Sequence, residues 1–219
     1  MPEIININPL QPDPSIMETA VYVLKQGGII AYPTETFYAL GADALLEKAV
    51  LRLFEIKGRD FNNPIALIGS GEQDLPLITD NIPEAARSLI AAFWPGPLTL
   101  IFQASKRVLP RLTAGTGKIG MRVSNHPIAR GLAAYLGHPV TATSANLSGN
   151  PECTTAQEVS NQIGPLVDLI IDGGQTQGGK GSTMLDVTVL PPVILREGAL
   201  SQKNISSIIA TKPIISISK

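Results

Sequence analysis

The sequence predicts an α/β fold built on a mixed β-sheet, and three observations point there. Short apolar runs of strand length recur between segments whose apolar residues repeat at helical spacing. Proline and glycine punctuate the transitions between them. From residue 184 onward the strand-like runs follow one another closely, so a mixed sheet is expected rather than a purely parallel one.

The elements follow in order. Ser15 with Glu18 three residues later has the form of a capping box, opening a helix that turns Ala20, Val23 and Leu24 inward and stops at Gly27 and Gly28. Residues 28–32 form an apolar strand ended by Pro33, and a second helix covers 47–57 with Val50, Leu53 and Phe54 on one face. Residues 65–68 read as a buried strand. Pro83 suits the first turn of a helix that ends near Trp94, where Pro95, Gly96 and Pro97 break it. Strands are expected at 98–102 and 119–123, a helix at 127–136, and further strands at 140–143, 167–171, 184–189 and 193–195. Residues 1–200 are expected to form one catalytic domain. Residues 201–219 read as a short helix and an Ile/Ser-rich tail, too little for a second domain.

Composition excludes several classes of function. Hydrophobic residues make up 44% and charged residues 16% of the 219, which supplies a core and argues against disorder. Net charge is -1, from 17 basic and 18 acidic residues, so broad electrostatic attraction to nucleic acid is not expected. The single cysteine, Cys153, forms no internal disulfide and no thiolate cluster, and reads as an incidental small residue rather than a nucleophile. No stretch approaches the roughly 20 apolar residues of a membrane span. No charged region followed by an apolar run opens the sequence, so a cytoplasmic location is expected.

Polar residues gather where strands and helices end: at 33–36, 57–59, 121–122, 143–146, 181–183 and 195–198. Ligands of open α/β sheets collect at such strand ends. Lys57, Arg59, Arg122 and Arg196 there would suit a substrate with several phosphates. Each residue also has a plainer explanation. Lys57 at a helix end complements the helix dipole, Arg122 on a strand suits a structural ion pair, and Ser144 with Asn146 suits a turn. Thr34 and Thr36 could cap a following helix.

Two other motifs fail. Residues 174–181 approach a phosphate-binding loop, but Gly181 stands where a Ser or Thr should follow Lys180, and a strand-like run replaces the required helix. His126 and His138 each precede a proline and lack the spacing of a metal pair. No metal is therefore expected to be held by the protein alone, and magnesium would arrive with nucleotide phosphates.

Taken together, the junctions resemble the YrdC/TsaC family of threonylcarbamoyl-AMP synthases. The pieces are Pro-Thr-Glu-Thr-Phe-Tyr-Ala-Leu-Gly (33–41), Lys-Gly-Arg (57–59) with Asn63 and Pro64, Trp-Pro-Gly-Pro-Leu-Thr (94–99) and Gly-Met-Arg-Val (120–123). They continue with His-Pro-Ile-Ala (126–129), Thr-Ser-Ala-Asn-Leu-Ser-Gly (143–149), Gly-Ser-Thr (181–183) and Leu-Arg-Glu-Gly (195–198). No single piece is decisive; their common order is what makes the resemblance specific.

The resemblance implies a YrdC-like fold, a twisted mixed sheet with flanking helices around a positively charged cavity. It also implies synthesis of threonylcarbamoyl-AMP from L-threonine, bicarbonate and ATP with Mg2+, for the tRNA modification N6-threonylcarbamoyladenosine. A TsaD-type transferase would act downstream. By the same resemblance Lys57 and Arg59 are the catalytic pair and, with Asn63, Lys118, Ser144, Asn146 and Arg196, bind ATP; Thr36, Arg122 and Ser182 bind threonine. Lys118 stands where the family often has threonine, Ile68 where some members place histidine, and Ala39 where glycine is common. Ala39 is shared with a YciO-like branch of uncertain activity, although that branch typically lacks the Lys-x-Arg and Ser-x-Asn pairs present here. A double-stranded RNA-binding module is the main rival reading; with aromatics at only 5%, no RNA-stacking motif supports it. A carbamoyl-transferring relative would carry acylphosphatase and zinc-finger regions, which are missing from these residues.

Overall fold

The computed structural model describes residues 2–58, 63–209 and 213–215. In chain order the elements are β1 (Glu3–Asn6), α1 (Pro14–Lys25), β2 (Ile30–Pro33), β3 (Tyr38–Gly41), α2 (Glu47–Lys57), β4 (Ala66–Gly69), α3 (Leu75–Ile78) and α4 (Glu84–Phe93). They continue with β5 (Leu98–Gln103), β6 (Lys118–Val123), α5 (Pro127–Leu136), β7 (Val140–Ser144), α6 (Ala156–Ile163), β8 (Leu169–Asp172), β9 (Thr183–Asp186), β10 (Val193–Arg196), α7 (Gln202–Ser206) and β11 (Ile214–Ile215). Helices α2 and α5 start and stop where the apolar spacing predicts. Strands β1 and β3 and helix α6 were not expected from the sequence.

Among the described residues the strands form one mixed sheet, in the order β1-β8-β2-β3-β7-β4-β6-β5-β9-β10-β11. Strands β2 and β3 form an antiparallel hairpin, and β3 continues antiparallel onto β7, with Ala39 opposite Ser144. Strand β4 runs parallel to β6, with Ile68 opposite Arg122, and antiparallel to β7. These registers bring the ends of β3, β7, β4 and β6 side by side, although their sequences lie far apart.

The two sheet faces carry different side chains because successive strand residues point to opposite sides. One face presents Leu40, Leu67, Leu98, Leu100 and Met121 to a large cluster that includes Leu53 of α2, Leu89 of α4 and Val159 of α6. On the other face, Ile30, Tyr32, Ile68 and Val140 pack beneath α1 and α5, through Leu24 and Leu132 among others. The remainder of this second face carries Ala39, Ala66, Thr99, Arg122 and Ala142, which line a hollow.

Local signals are corrected at one helix start. The N-cap of α1 is Asp13, whose carboxylate accepts from the Ser15 amide at 2.8 Å and the Ser15 hydroxyl at 2.7 Å. Pro14 then takes the first helical position, where a missing N–H costs nothing. Met17, Ala20, Val21 and Leu24 form the buried stripe, and Val23 is only half-buried. Helix α6 does open on a complete capping box, Thr155 with Glu158. Near the C-terminus, α7 is the expected short helix; Ile205 and Ile209 join the larger apolar cluster, and β11 adds to the sheet beside β10. Among the described residues no helix is long and apolar enough to cross a membrane.

Candidate active site

The hollow arises from small residues on adjacent strands. Ala39 on β3, Ala142 on β7, Ala66 on β4 and Gly120 on β6 share the face that α1 and α5 leave uncovered. A Cβ on Gly120 would lie 3.1 Å from Thr99 Cγ2 and 3.5 Å from Ala66 Cβ, so the floor is closely spaced even without a side chain there. The cavity measures about 180 Å³, and Thr36, Arg122, Ser144, Ser182 and Arg196 are among its polar walls.

Arg122 lies near the end of β6 and is 7% exposed. Its Nη1 pairs with Glu35 Oε1, and Ser124 Oγ donates to Glu35 Oε2. The ion-pair explanation and the ligand-wall explanation of Arg122 are therefore not exclusive, since the residue pairs with Glu35 and also faces the cavity. Glu35 comes from the turn at 34–37 that joins β2 to β3. Thr34 Oγ1 donates to the Phe37 carbonyl at 2.8 Å, and the Thr36 amide donates to Thr34 Oγ1 at 3.2 Å. These threonines close a hairpin turn instead of capping a helix.

On the opposite wall, Ser182 Oγ lies 2.8 Å from Thr99 Oγ1. Arg196 donates from Nη2 to the Ser182 carbonyl at 2.9 Å and to Ser182 Oγ at 3.2 Å. Gly198 makes this arrangement possible: a Cβ there would sit 2.1 Å from the Gly181 carbonyl oxygen. Any side chain would push the 195–198 segment, and Arg196 with it, away from Ser182.

A second hollow of about 410 Å³ adjoins the first and shares Pro64 and Ser144 with it. Lys57, Asn63, Asn146 and Ser148 contribute to its lining. Lys57 ends α2 and is only 2% exposed. Gly58 follows in the left-handed region at φ 53° and turns the chain away. The ammonium crosses to the loop after β7, donating to the carbonyls of Ser144 at 2.6 Å and Asn146 at 2.7 Å, and to Asn146 Oδ1 at 2.9 Å. A buried ammonium requires such acceptors. Lys57 thus holds the 144–146 loop while lining the hollow, and Ser148 Oγ returns a bond to the Lys57 carbonyl at 2.5 Å. Arg59 lies outside the described residues.

Lys118 is set apart from this group. It begins β6, on the same face as Arg122 but four residues away, and its ammonium pairs with Asp186 Oδ2 at 2.8 Å. Neither hollow includes it among its described lining residues. Burial tends to raise the Asp186 pKa, but the hydrogen bonds from Lys118 and Thr188 outweigh it and hold the carboxyl below its ordinary value. Ile68 is fully buried in the cluster beneath α1 and α5.

Other chemically capable groups are accounted for by packing. Cys153 is fully buried, and that burial pushes its thiol up to about 11, away from nucleophilic readiness. The Tyr38 hydroxyl donates to the Gly174 carbonyl at 2.8 Å, and burial raises its pKa. Among the described residues His126 Nδ1 is buried without a hydrogen-bond partner, and desolvation lowers the His126 pKa against the opposing pull of Glu35. The 174–181 segment leads into β9 and not into a helix, so it lacks the form of a phosphate-binding loop. Among the described residues no three His, Cys, Asp or Glu side chains gather where they could hold a metal. Sequence reasoning assigned no role to Glu35, Ser124 or Thr99. Glu35 had a signal as a charge at a strand-end junction and Thr99 as the end of the 94–99 motif, whereas Ser124 had none.

This architecture has close counterparts. A threonylcarbamoyl-AMP synthase of Pyrococcus abyssi (strain GE5 / Orsay) is 42% identical over 187 residues, covering 85% of this chain and 55% of that relative. The structure of P. abyssi Sua5 complexed with L-threonine matches with a TM-score of 0.93 at 38% identity, over 97% of this chain and 62% of that one. E. coli YciO matches with a TM-score of 0.86 at 32% identity, over 94% of this chain and all (100%) of that one. The chain thus spans little more than half the length of the P. abyssi relative. The Sua5/YciO/YrdC family model, described as "Telomere recombination", matches residues 22–198. With that match running from α1 to the end of the Leu-Arg-Glu-Gly segment, the chain belongs to the Sua5/YciO/YrdC family.

Proposed function

We propose that the protein is a threonylcarbamoyl-AMP synthase, forming threonylcarbamoyl-AMP and pyrophosphate from L-threonine, bicarbonate or carbon dioxide, and MgATP. The observation that carries this reading is the pair of adjoining hollows that meet at Ser144 and Pro64. One is small, with buried Arg122 in its wall; the other is larger and open beside Lys57 and Asn146. Two anionic substrates aligned across a shared boundary need this arrangement. The similarity to a relative of that name and to a Sua5 solved with L-threonine supports the assignment.

In this reading Arg122 receives the threonine carboxylate while Thr36 and Ser182 hold the rest of the amino acid. Lys57, Asn63, Ser144 and Asn146, with Arg59, hold the ATP phosphates and their magnesium. Arg196 joins the nucleotide set from the wall of the smaller hollow, beside Ser182, and Lys118 is its weakest member because Asp186 already engages it. The threonine amine forms an N–C bond to carbon dioxide with release of a proton, or to bicarbonate with release of water, to give N-carboxy-threonine. The new carboxylate attacks the α-phosphate of ATP, a P–O bond forms, and the bond to pyrophosphate breaks. The protein aligns the two anions and neutralises developing charge, so no nucleophile or metal cage is needed.

A TsaD-type transferase would consume the product in making N6-threonylcarbamoyladenosine in tRNA, with both steps in the cytoplasm. The test is incubation with MgATP, bicarbonate and threonine, followed by measurement of pyrophosphate and of a threonylcarbamoyl-AMP mass. Product requiring both threonine and bicarbonate supports the reading; turnover indifferent to threonine, or RNA binding with no turnover, overturns it.

A further inference from the structure

We infer that Glu35 is a positioning residue for the amino-acid substrate, acting through Arg122; the inference rests on the reading above. The Glu35 and Arg122 side chains are each 9% exposed and pair with one another, and Arg122 lines the smaller cavity. A buried ion pair contributes little net stability compared with apolar residues of the same volume, so stabilising the fold is a weak explanation for it. Its geometry gives a better one.

The two oxygens of Glu35 have different partners. Oε1 takes Arg122 Nη1, and Oε2 takes the hydroxyl of Ser124, which is fully buried. Ser124 Oγ also accepts from the His126 amide at 3.1 Å, at the entrance to α5. The carboxylate is therefore anchored to a helix start on one side and grips the guanidinium on the other. Arg122 itself stands on β6, flanked by β4 and β5. Held at one nitrogen, its planar fork keeps one orientation and presents its remaining N–H groups to a carboxylate in the cavity.

Charge and position pull in opposite directions here. Removing the negative charge of Glu35 would by itself strengthen the attraction of Arg122 for an anion. Releasing the guanidinium from its fixed orientation would weaken it. The inference requires the second effect to dominate, which makes the sign of the result decisive.

The experiment compares wild type with Glu35→Gln, Glu35→Asp and Ser124→Ala by pyrophosphate release, varying threonine at saturating MgATP and then MgATP at saturating threonine. Glu35→Gln should raise the threonine KM by about tenfold or more and leave the ATP KM within about twofold. Glu35→Asp, which keeps the charge on a shorter arm, should recover part of the loss. Ser124→Ala, which leaves no charge unpaired, should raise the threonine KM by about threefold. An unchanged or lower threonine KM in folded Glu35→Gln overturns the inference, as does an equal rise for both substrates. Should Glu35→Gln fail to fold, an unchanged threonine KM in Ser124→Ala overturns it. Wild-type turnover that ignores threonine removes the parent reading and this inference together, an outcome distinct from normal wild-type turnover with unaffected variants.

Discussion

The two faces of the central sheet come from the same strands and do opposite work. Strand β6 gives Ile119 and Met121 to the face fully covered by α2, α4 and α6, and Lys118, Gly120 and Arg122 to the face that α1 and α5 cover only in part. Strand β5 gives Leu98, Leu100 and Phe102 to the first and Thr99 to the second. On the packed face, mostly apolar side chains fill the volume, and the buried Thr141 and Thr183 hydroxyls are satisfied by backbone groups. On the hollow face, small residues withhold volume and the polar residues face one another across the gap. One two-residue period therefore encodes a core and a cavity at once. The difference predicts that substitutions on the packed face should act on stability and those on the hollow face on turnover.

The largest effect should come from the wall of the second hollow. Lys57→Ala removes the ammonium that binds the 144–146 loop, and pyrophosphate release should fall by about 10²–10³-fold in kcat/KM. Near-wild-type release would break the comparison at its centre. On the packed face, Leu100→Ala deletes a fully buried side chain and should cost about 2–5 kcal/mol in denaturant unfolding. Its threonine KM should stay within about twofold of wild type. Ala142→Leu is the converse: a side chain projected into the hollow should lower kcat/KM for threonine by about 10–100-fold. Its stability should change by no more than about 1 kcal/mol, because Ala142 lies beside open space.

The smallest effect should appear where the hollow meets α5. Desolvation holds the His126 pKa below its ordinary value of 6.5. The unfolded chain therefore takes up that proton first on acidification. The stability tied to neutral His126 is present above the unfolded value and is lost as pH falls through the lower, folded value. Thermal unfolding followed from about pH 7.5 to 5 should show Tm falling with pH, and His126→Asn should flatten that dependence. An identical slope in the variant would show that other groups carry it.

Legibility of the fold followed the range of the interactions involved. Helices α2 and α5 are readable in the sequence because their apolar spacing and terminal Gly or Pro are local signals. Helix α6 was equally local, with its Thr155–Glu158 capping box in plain view, and was overlooked between two strands. Strand β1 carries no alternation of its own; it exists because residues 3–6 pair with 169–172. At the start of α1, Asp13 and Ser15 both had side chains able to cap, and Pro14 at the first helical position settled the choice for Asp13.

For the site, residue order along the chain was enough to name the junctions at 33–36, 57–59, 143–146, 181–183 and 195–198 and the family they resemble. Those depend on residue type and local spacing, which a sequence carries directly. The sequence could not decide what each charge does. Arg122 lies 87 residues from Glu35, Lys118 lies 68 from Asp186, and Lys57 lies 87 from Ser144. Each pairing follows from the register of strands and the crossing of a helix end over a loop. A lysine at a helix end became a buried staple, an arginine on a strand became both ion pair and cavity wall, and another lysine was drawn aside by an aspartate. Only tertiary structure could assign those partners, because electrostatic roles depend on distance and burial in space rather than on position along the chain.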